Sequence, residues 1–212
     1  MRVLVPFDAR RPKTRLSPVL SESERHAFAE GLLADVLAAL AETPQEPTVL
    51  ATAPVEVSVS VEIDERPLTQ AVNAALSEAD GPVAVVMADL GLVAPAALER
   101  LFDAGRVADV AIAPGIGGGT NALVVDHPDF RVDYHGVSYR DHRERARELG
   151  ATVETVDSYR LSVDIDDPGD LPELLLHGKG EATAWLREAG FAITGAGERR
   201  IELERSETES GP

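Results

Sequence analysis

Short continuous apolar runs alternate along this chain with longer stretches of helical spacing. That alternation constrains the fold more than any other feature. The clearest run is PVAVVM, Pro82–Met87, apolar at every position as in a central strand buried on both faces. Further strands are read at Arg2–Pro6, PTVLAT, ADVAIAP, NALVV, ATVETV and RLSVDI, and VEVSVSVEI alternates strictly, as a strand with one wet face does. Helices are read between them. SESERHAFAEGLLADVLAALAE opens on Ser21 and Glu24, the spacing of a capping box, and repeats apolar residues at Phe28, Leu32, Leu33, Val36, Leu37 and Leu40. Pro67 suits the first turn of a helix reaching about Ala79. APAALERLFDA, SYRDHRERARELG, PGDLPELLLHG and GEATAWLREAG complete the set. The expected fold is α/β: a three-layer α/β/α sandwich on a mixed, mainly parallel sheet. One domain is expected over residues 1–200, with a polar, flexible tail over 201–212.

Composition narrows the chemistry. The 212 residues contain no cysteine, which excludes disulfides, thiolate catalysis and cysteine zinc sites. Thirty-seven acidic residues face 20 basic ones, for a net charge of −17. So acidic a surface repels a phosphate backbone, so nucleic acid is not an expected partner. It suits concentrated salt, where self-repulsion is screened, and points to a halophile. No apolar run is long enough to span a membrane and no signal peptide is read, so the expected location is the cytoplasm.

Sheets of this kind bind ligands at the carboxyl ends of their strands, and three groups of residues fall there. Asp89 lies two residues beyond PVAVVM, while Asp164 and Asp166 close RLSVDI, where the strand period places both carboxylates on one side. Magnesium asks for one or two carboxylates, with phosphate and water supplying the rest. The loop DARRPKTRLSP carries Arg10, Arg11, Lys13 and Arg15, and Lys13 is one of only two lysines in the chain. Lysine meets phosphate as a point charge and arginine as a bidentate fork. Gly117, Gly118 and Gly119 precede Thr120 and Asn121. Bare backbone of that kind serves either a tight turn or an anion held by N–H groups. Asn73, in QAVNAAL, is either an exposed helix residue or a wall of a nucleotide cleft. His135, Ser138 and Asp157 lack the nucleophile elbow of a hydrolase, the five histidines have no metal spacing, and Trp185 reads as core.

Five segments then carry a resemblance: PKTRLSPVLSESER, VVMADL, GGGTNAL, HGVSYRDHRERARELG and LSVDIDDPGDL. In this order the chain resembles the 2-phospho-L-lactate guanylyltransferase family of coenzyme F-420 biosynthesis, in its haloarchaeal form, up to about Gly178. The resemblance implies a GT-A-like nucleotidyltransferase fold, GTP and Mg²⁺ as ligands, 2-phospho-L-lactate as acceptor, pyrophosphate as product and a homodimer. It assigns Asp89, Asp164 and Asp166 to metal, and Lys13 and Arg15 to the triphosphate as catalytic residues, with Asn73 and Asp89 also on the nucleotide side. Gly118, Gly119, Thr120, Asn121 and Ser138 fall on the acceptor side. One turn departs from the family pattern: YHGVS stands where many members have FGPGS, placing His135 at a common glycine position. Alternatives are transfer to phosphoenolpyruvate or another small phosphorylated acceptor, and a non-catalytic nucleotide-binding protein of the same fold.

Overall fold

The structure is a computed structural model and describes residues 1–195 and 202–206. The strands are β1 Arg2–Phe7, β2 Pro47–Ala51, β3 Ser60–Ile63, β4 Val83–Val86, β5 Val110–Pro114, β6 Thr120–Val125 and β7 Val153–Thr155, followed by β8 Phe191–Thr194 and β9 Glu202–Arg205. The helices are α1 Glu22–Ala41, α2 Leu68–Glu78, α3 Pro95–Ala104, α4 Ser138–Glu148, α5 Tyr159–Ser162, α6 Leu171–His177 and α7 Glu181–Glu188. Seven strands form one sheet in the order β3-β2-β1-β4-β6-β5-β7, with β6 antiparallel to β4 and β5 and the other pairs parallel.

The pleat sorts the core into two layers. Val3, Val5, Ala84, Val86, Ala111 and Val124 pack beneath α1 and α3 with Leu33, Leu98 and Phe102. Leu4, Val85, Ile112 and Leu123 pack with Val72, Phe130 and Ala146 on the opposite face. This is the expected three-layer sandwich. The capping box forms as its spacing predicts: the Ser21 amide donates to Glu24 Oε2 at 2.7 Å and the Glu24 amide to Ser21 Oγ at 3.4 Å. Trp185 packs against Phe28 with its ring tilted by 44° and the centroids 5.6 Å apart, in a third cluster with Leu16, Val163, Ile165 and Leu174.

Three readings are corrected. VEVSVSVEI is a strand only from Ser60 to Ile63. β2 ends at Ala51 while β3 starts opposite Thr48, so the intervening chain must first travel back along the sheet. Val55, Val57 and Val59 make that return partly buried against the core, which preserves their alternation without a ladder. RLSVDI is not a strand: Tyr159–Ser162 is a single helical turn, and the chain leaves it extended at Val163. Leu161 in that turn is fully buried, and the Ile165 amide bonds to the carbonyl of Asp89 at 3.1 Å, beyond the end of β4. Within the expected tail, Glu202–Arg205 pairs antiparallel with β8. Residue 201 and residues 207–212 of that tail lie outside the described residues.

The order places a topological switch between β1 and β4. From β1 the chain moves outward to β2 and β3, then returns to the other side of β1 as β4. Loops at such a point diverge and leave a crevice. Because β6 runs antiparallel, its first residues, Thr120 and Asn121, reach the same rim as the carboxyl ends of β1 and β4.

Candidate active site

The loop after β1 is organised by its first residue. Asp8 Oδ1 accepts from the amides of Arg10 at 3.1 Å and Arg11 at 3.3 Å, and from the Thr52 hydroxyl at 2.9 Å. An aspartate folding its own following backbone is a turn signal that sequence offers but that was not read as functional. The loop then puts Lys13 in the left-handed region at φ 50°, the sole non-glycine residue with positive φ among the described residues. Such a conformation costs roughly 1–3 kcal/mol and persists where its surroundings impose it. Here Leu16, fully buried in the third cluster, anchors the chain on one side of Lys13, and two carboxylates hold it on the other.

Lys13 Nζ donates to Asp89 Oδ2 at 2.7 Å and to Asp166 Oδ1 at 2.8 Å. Its side chain is 9% exposed. Burial works against its charge, but the two carboxylates outweigh burial and hold its pKa above the ordinary lysine value. Asp166 is also bonded by Arg15, and the two cations overcome burial to hold its pKa below the carboxylate range. Asp164 goes the other way: burial first, then the charge of Asp89, pushes its pKa up. Asp164 Oδ1 accepts from Asn121 Nδ2 at 3.1 Å, and the same amide donates to the Leu161 carbonyl at 3.0 Å. Asp89 Oδ1 is buried and has no hydrogen-bond partner among the described residues. Leaving a carboxylate oxygen buried without a donor is costly, so it marks a place for a cation.

Asp89, Asp164 and Asp166 are thus brought to one place, as the sequence proposes, though not by a strand pleat. Val163 and Ile165 are buried plugs, and the acidic residues beside them are carried to the rim. Among the described residues no three acidic or histidine side chains form a ready metal cage. A magnesium-type site needs no such cage. The unpartnered Asp89 oxygen and the neighbouring Asp164 fit that donor set, while Asp166 is already taken by Lys13 and Arg15.

Beside this centre lies a cleft of about 600 Å³ over the ends of β1, β2 and β4. Arg10, Arg11, Lys13 and Arg15 edge it, with Leu50, Leu68 and Ala71 as its apolar wall. Asn73 does not line it. Its amide clips the backbone of Val132, donating to the carbonyl at 2.9 Å and accepting from the amide at 2.8 Å. The nucleotide-side expectation for Asn73 is therefore replaced by a brace for the loop between β6 and α4.

Gly117–Gly119 make the turn between β5 and β6. The Gly118 amide donates to the Gly115 carbonyl at 2.9 Å and the Gly115 amide to the Gly119 carbonyl at 3.0 Å. The Gly118 amide is thereby used inside the turn and is not offered to an anion. Gly118 alone of the three has a positive φ, 84°. A Cβ on Gly117 would meet nothing within 4 Å. Gly115, which sequence reading passed over, has the tightest need of the glycines in this turn: a Cβ there would stand 2.5 Å from Asn121 Oδ1.

Thr120 and Ser138 are brought together and buried, with Ser138 Oγ donating to Thr120 Oγ1 at 3.2 Å. Their third partner is His142, one turn along α4, whose Nδ1 lies 2.9 Å from Thr120 Oγ1. Sequence reading missed His142 because nothing in its spacing marks it. His135 is exposed and pairs with Asp133, so no hydrolase triad assembles with Ser138.

Residues 1–206 match the protein family described as Guanylyl transferase CofC like. A protein of Halomicrobium mukohataei named 2-phospho-L-lactate guanylyltransferase is 58% identical over 205 residues, covering 97% of this chain and 100% of that one. A nucleotide-diphospho-sugar transferase structure from Desulfovibrio desulfuricans aligns with a TM-score of 0.74 at 17% identity, over 89% of this chain and 95% of that one. A Mycobacterium tuberculosis protein solved with manganese aligns with a TM-score of 0.52 at 16% identity, over 83% and 98% of the two chains. The two structural likenesses speak for the fold.

Proposed function

The chain belongs to the CofC-like guanylyl transferase family, and from that premise we propose that it transfers GMP from GTP to the phosphate of 2-phospho-L-lactate, releasing pyrophosphate, in the assembly of coenzyme F-420. The observation that carries this reading is the pairing of a basic loop with a buried, partly unsatisfied acidic centre at the switch point of the sheet. The family name supplies the acceptor.

The reaction needs little proton chemistry. A phosphate monoester is largely dianionic at neutral pH, so its oxygen attacks the α-phosphorus directly. The bond from the α-phosphorus to the bridging oxygen breaks, and pyrophosphate leaves with that oxygen's electrons. The obstacle is repulsion between an anionic acceptor and a triphosphate, so positioning and charge compensation dominate. Arg10, Arg11 and Arg15 meet the phosphates at the mouth of the cleft, and Lys13 meets them from within. The apolar wall at Leu50, Leu68 and Ala71 takes the base and ribose. Asp89 and Asp164 hold a divalent cation, with Asp166 setting the position of Lys13 and Arg15. When bound, Mg²⁺ supplies charge neutralisation and orientation of the phosphate oxygens. Manganese in one structural neighbour supports a divalent cation in general. The Gly118–Asn121 turn and Ser138 form the acceptor side.

The test is pyrophosphate release with each nucleoside triphosphate against phospholactate, phosphoenolpyruvate and 3-phosphoglycerate, in molar potassium chloride. GTP with phospholactate is expected to be fastest; a preference for another pair removes the assignment. The high salt follows from a second part of the reading. A net charge of −17 fits a halophilic, cytoplasmic protein, and the helical circular dichroism signal is expected to fall as salt drops well below molar. A homodimer belongs to the same reading and is checked by sedimentation in that buffer. Among the described residues no helix is long and apolar enough to cross a membrane.

A further inference from the structure

The buried trio of Thr120, Ser138 and His142 has a hydrogen-bond direction that can be worked out. The amide of Asp133 lies 2.8 Å from His142 Nε2, and an amide can only donate. Nε2 therefore carries no proton. The ring is 1% exposed, and burial, then the nearby charge of Arg145, brings its pKa down to about 4, against a smaller opposing pull from Asp133 and Asp141. At neutral pH the imidazole is uncharged and its one proton sits on Nδ1. Nδ1–H then donates to Thr120 Oγ1 at 2.9 Å, and Ser138 Oγ–H donates to the same oxygen at 3.2 Å. Both lone pairs of Thr120 are occupied. Its own proton remains, and no acceptor for it is found among the described residues.

A hydroxyl that accepts twice is a polarised donor, and in a site only 4% exposed it has little water to use. An anionic oxygen is its best partner. Its place adjoins the acidic centre proposed to hold the cation, which an anionic acceptor must approach. Thr120 follows the glycine turn directly, and the next residue, Asn121, is tied to Asp164. We propose that His142 is a positioning residue: as a neutral ring it fixes Thr120 as a hydrogen-bond donor to an anionic group of the acceptor. It does so from two sides, since its Nε2 also holds the loop between β6 and α4 at Asp133. That loop is braced elsewhere by Asn73 at Val132 and by the Thr69 hydroxyl at the Tyr134 amide, 3.1 Å away. The inference rests on the acceptor reading of the Gly118–Asn121 turn, and the experiment separates the two.

Initial rates are measured with phospholactate varied at saturating GTP, and the reverse, for Thr120→Val, His142→Phe, His142→Gln and the double variant Thr120→Val with His142→Phe. Losing a bond from a polarised hydroxyl to an anion corresponds to about 10–150-fold in affinity. Thr120→Val and His142→Phe are each expected to raise the acceptor KM by that much, with kcat and the GTP KM within about threefold of wild type. His142→Gln, which offers one donor and one acceptor, is expected to recover most of the loss. The double variant is expected to be no worse than Thr120→Val alone, because one acts through the other. If Thr120→Val raises the acceptor KM and His142→Phe does not, the inference about His142 falls and the acceptor reading stands. If neither moves it, the acceptor reading itself falls. Multiplying losses in the double variant, or equal rises in both KM values, would assign His142 a merely structural role. A second measurement needs no variant to fold. Long-range proton–nitrogen correlation at pH 7 is expected to show His142 protonated on Nδ1 alone; a proton on Nε2 overturns the proposal.

Discussion

Two rims at this end of the sheet, the loop after β1 and the turn into β6, reach preorganisation by opposite means. On the β1 side, formal charges face each other: Lys13 between Asp89 and Asp166, and Arg15 on Asp166. On the glycine side the partners are uncharged: the Asp133 amide, a buried imidazole and two buried hydroxyls. The charged rim can exchange one cation for another, as the proposed step with a metal and a triphosphate requires. The neutral rim cannot exchange anything; it can only be complete or broken. The first suits ligands that bring and remove charge, and the second suits a fixed seat for one small anion.

The largest effect expected is on the charged rim. Asp89→Asn and Asp164→Asn each keep the shape and remove a negative charge that, on the proposed reading, compensates the cation. Turnover is expected to fall by about 100-fold or more. The check is kcat at saturating divalent metal, with circular dichroism to establish the fold. Turnover within a few-fold of wild type would remove both aspartates from the metal role and leave the charged rim without its distinguishing function.

The neutral rim is expected to show itself in pH. Unfolded, His142 takes its proton near the ordinary value of 6.5; folded, near 4. Between those values the unfolded chain binds the extra proton, so stability is full above about pH 6.5 and declines as pH falls towards 4. The separation corresponds to about 3 kcal/mol. The charged rim behaves differently. Asp166 has its pKa held down, so its contribution is present above the ordinary carboxylate value and is lost only as pH falls through its lowered one. Urea unfolding from pH 7.5 to 4.5 in molar salt tests this, with His142→Gln as the reference. The variant's curve should be flatter; parallel curves would place the acid sensitivity elsewhere.

Lys13→Met sharpens the comparison from the other side. It leaves Asp89 and Asp166 facing each other without their shared cation. Removing one partner of a fully buried pair costs 3–5 kcal/mol, but these carboxylates are 24% and 28% exposed, so about 2 kcal/mol is expected. The telling measurement is the melting temperature with chelator and with excess Mn²⁺. The loss should be largely restored by the metal, since a second cation can take the vacated place. No restoration would mean that the acidic centre does not accept a cation.

The charged rim was legible in the sequence, and the neutral one largely was not. Asp89, Asp164, Asp166, Lys13 and Arg15 stand out because charge at strand ends in an α/β pattern is unusual whatever the local backbone does. That the acids gather at one place does not depend on RLSVDI being a strand, because Val163 and Ile165 turn inward and leave the acids outside. His142 carries no such signature. It lies on a helix with charged neighbours, and its partners are 9 and 22 residues away. Asn73 misled for the same reason: a polar residue on a half-buried helix face is equally suited to a cleft or to a brace, and only the position of Val132 decides. The sheet core was readable because burial imposes a period on sequence; the crossover at Val55–Val59 was not, because it keeps that period without pairing.

The smallest expected effect asks whether the neutral rim is a seat or only a turn. Gly118 has φ 84°, and a Cβ there would lie 3.2 Å from Val137 Cγ1. Gly118→Ala therefore strains the backbone and presses a side chain that is itself half exposed and free to yield. The cost to stability is about 1 kcal/mol, most of it from the dihedral. The Gly118 carbonyl also accepts from the Tyr139 amide at 3.2 Å, in the first turn of α4, so strain at Gly118 is passed toward Ser138 and His142. A pure turn would lose stability and leave the acceptor KM unchanged. A seat would lose a further factor of a few in acceptor affinity, with the GTP KM unaltered, because Thr120 is displaced relative to its two donors. Gly117→Ala is the control, since its Cβ meets nothing within 4 Å and its φ is not positive. Equal acceptor losses in both variants would mean that the ligand itself lies against the turn, and then the seat would be the glycine backbone rather than the Thr120 hydroxyl.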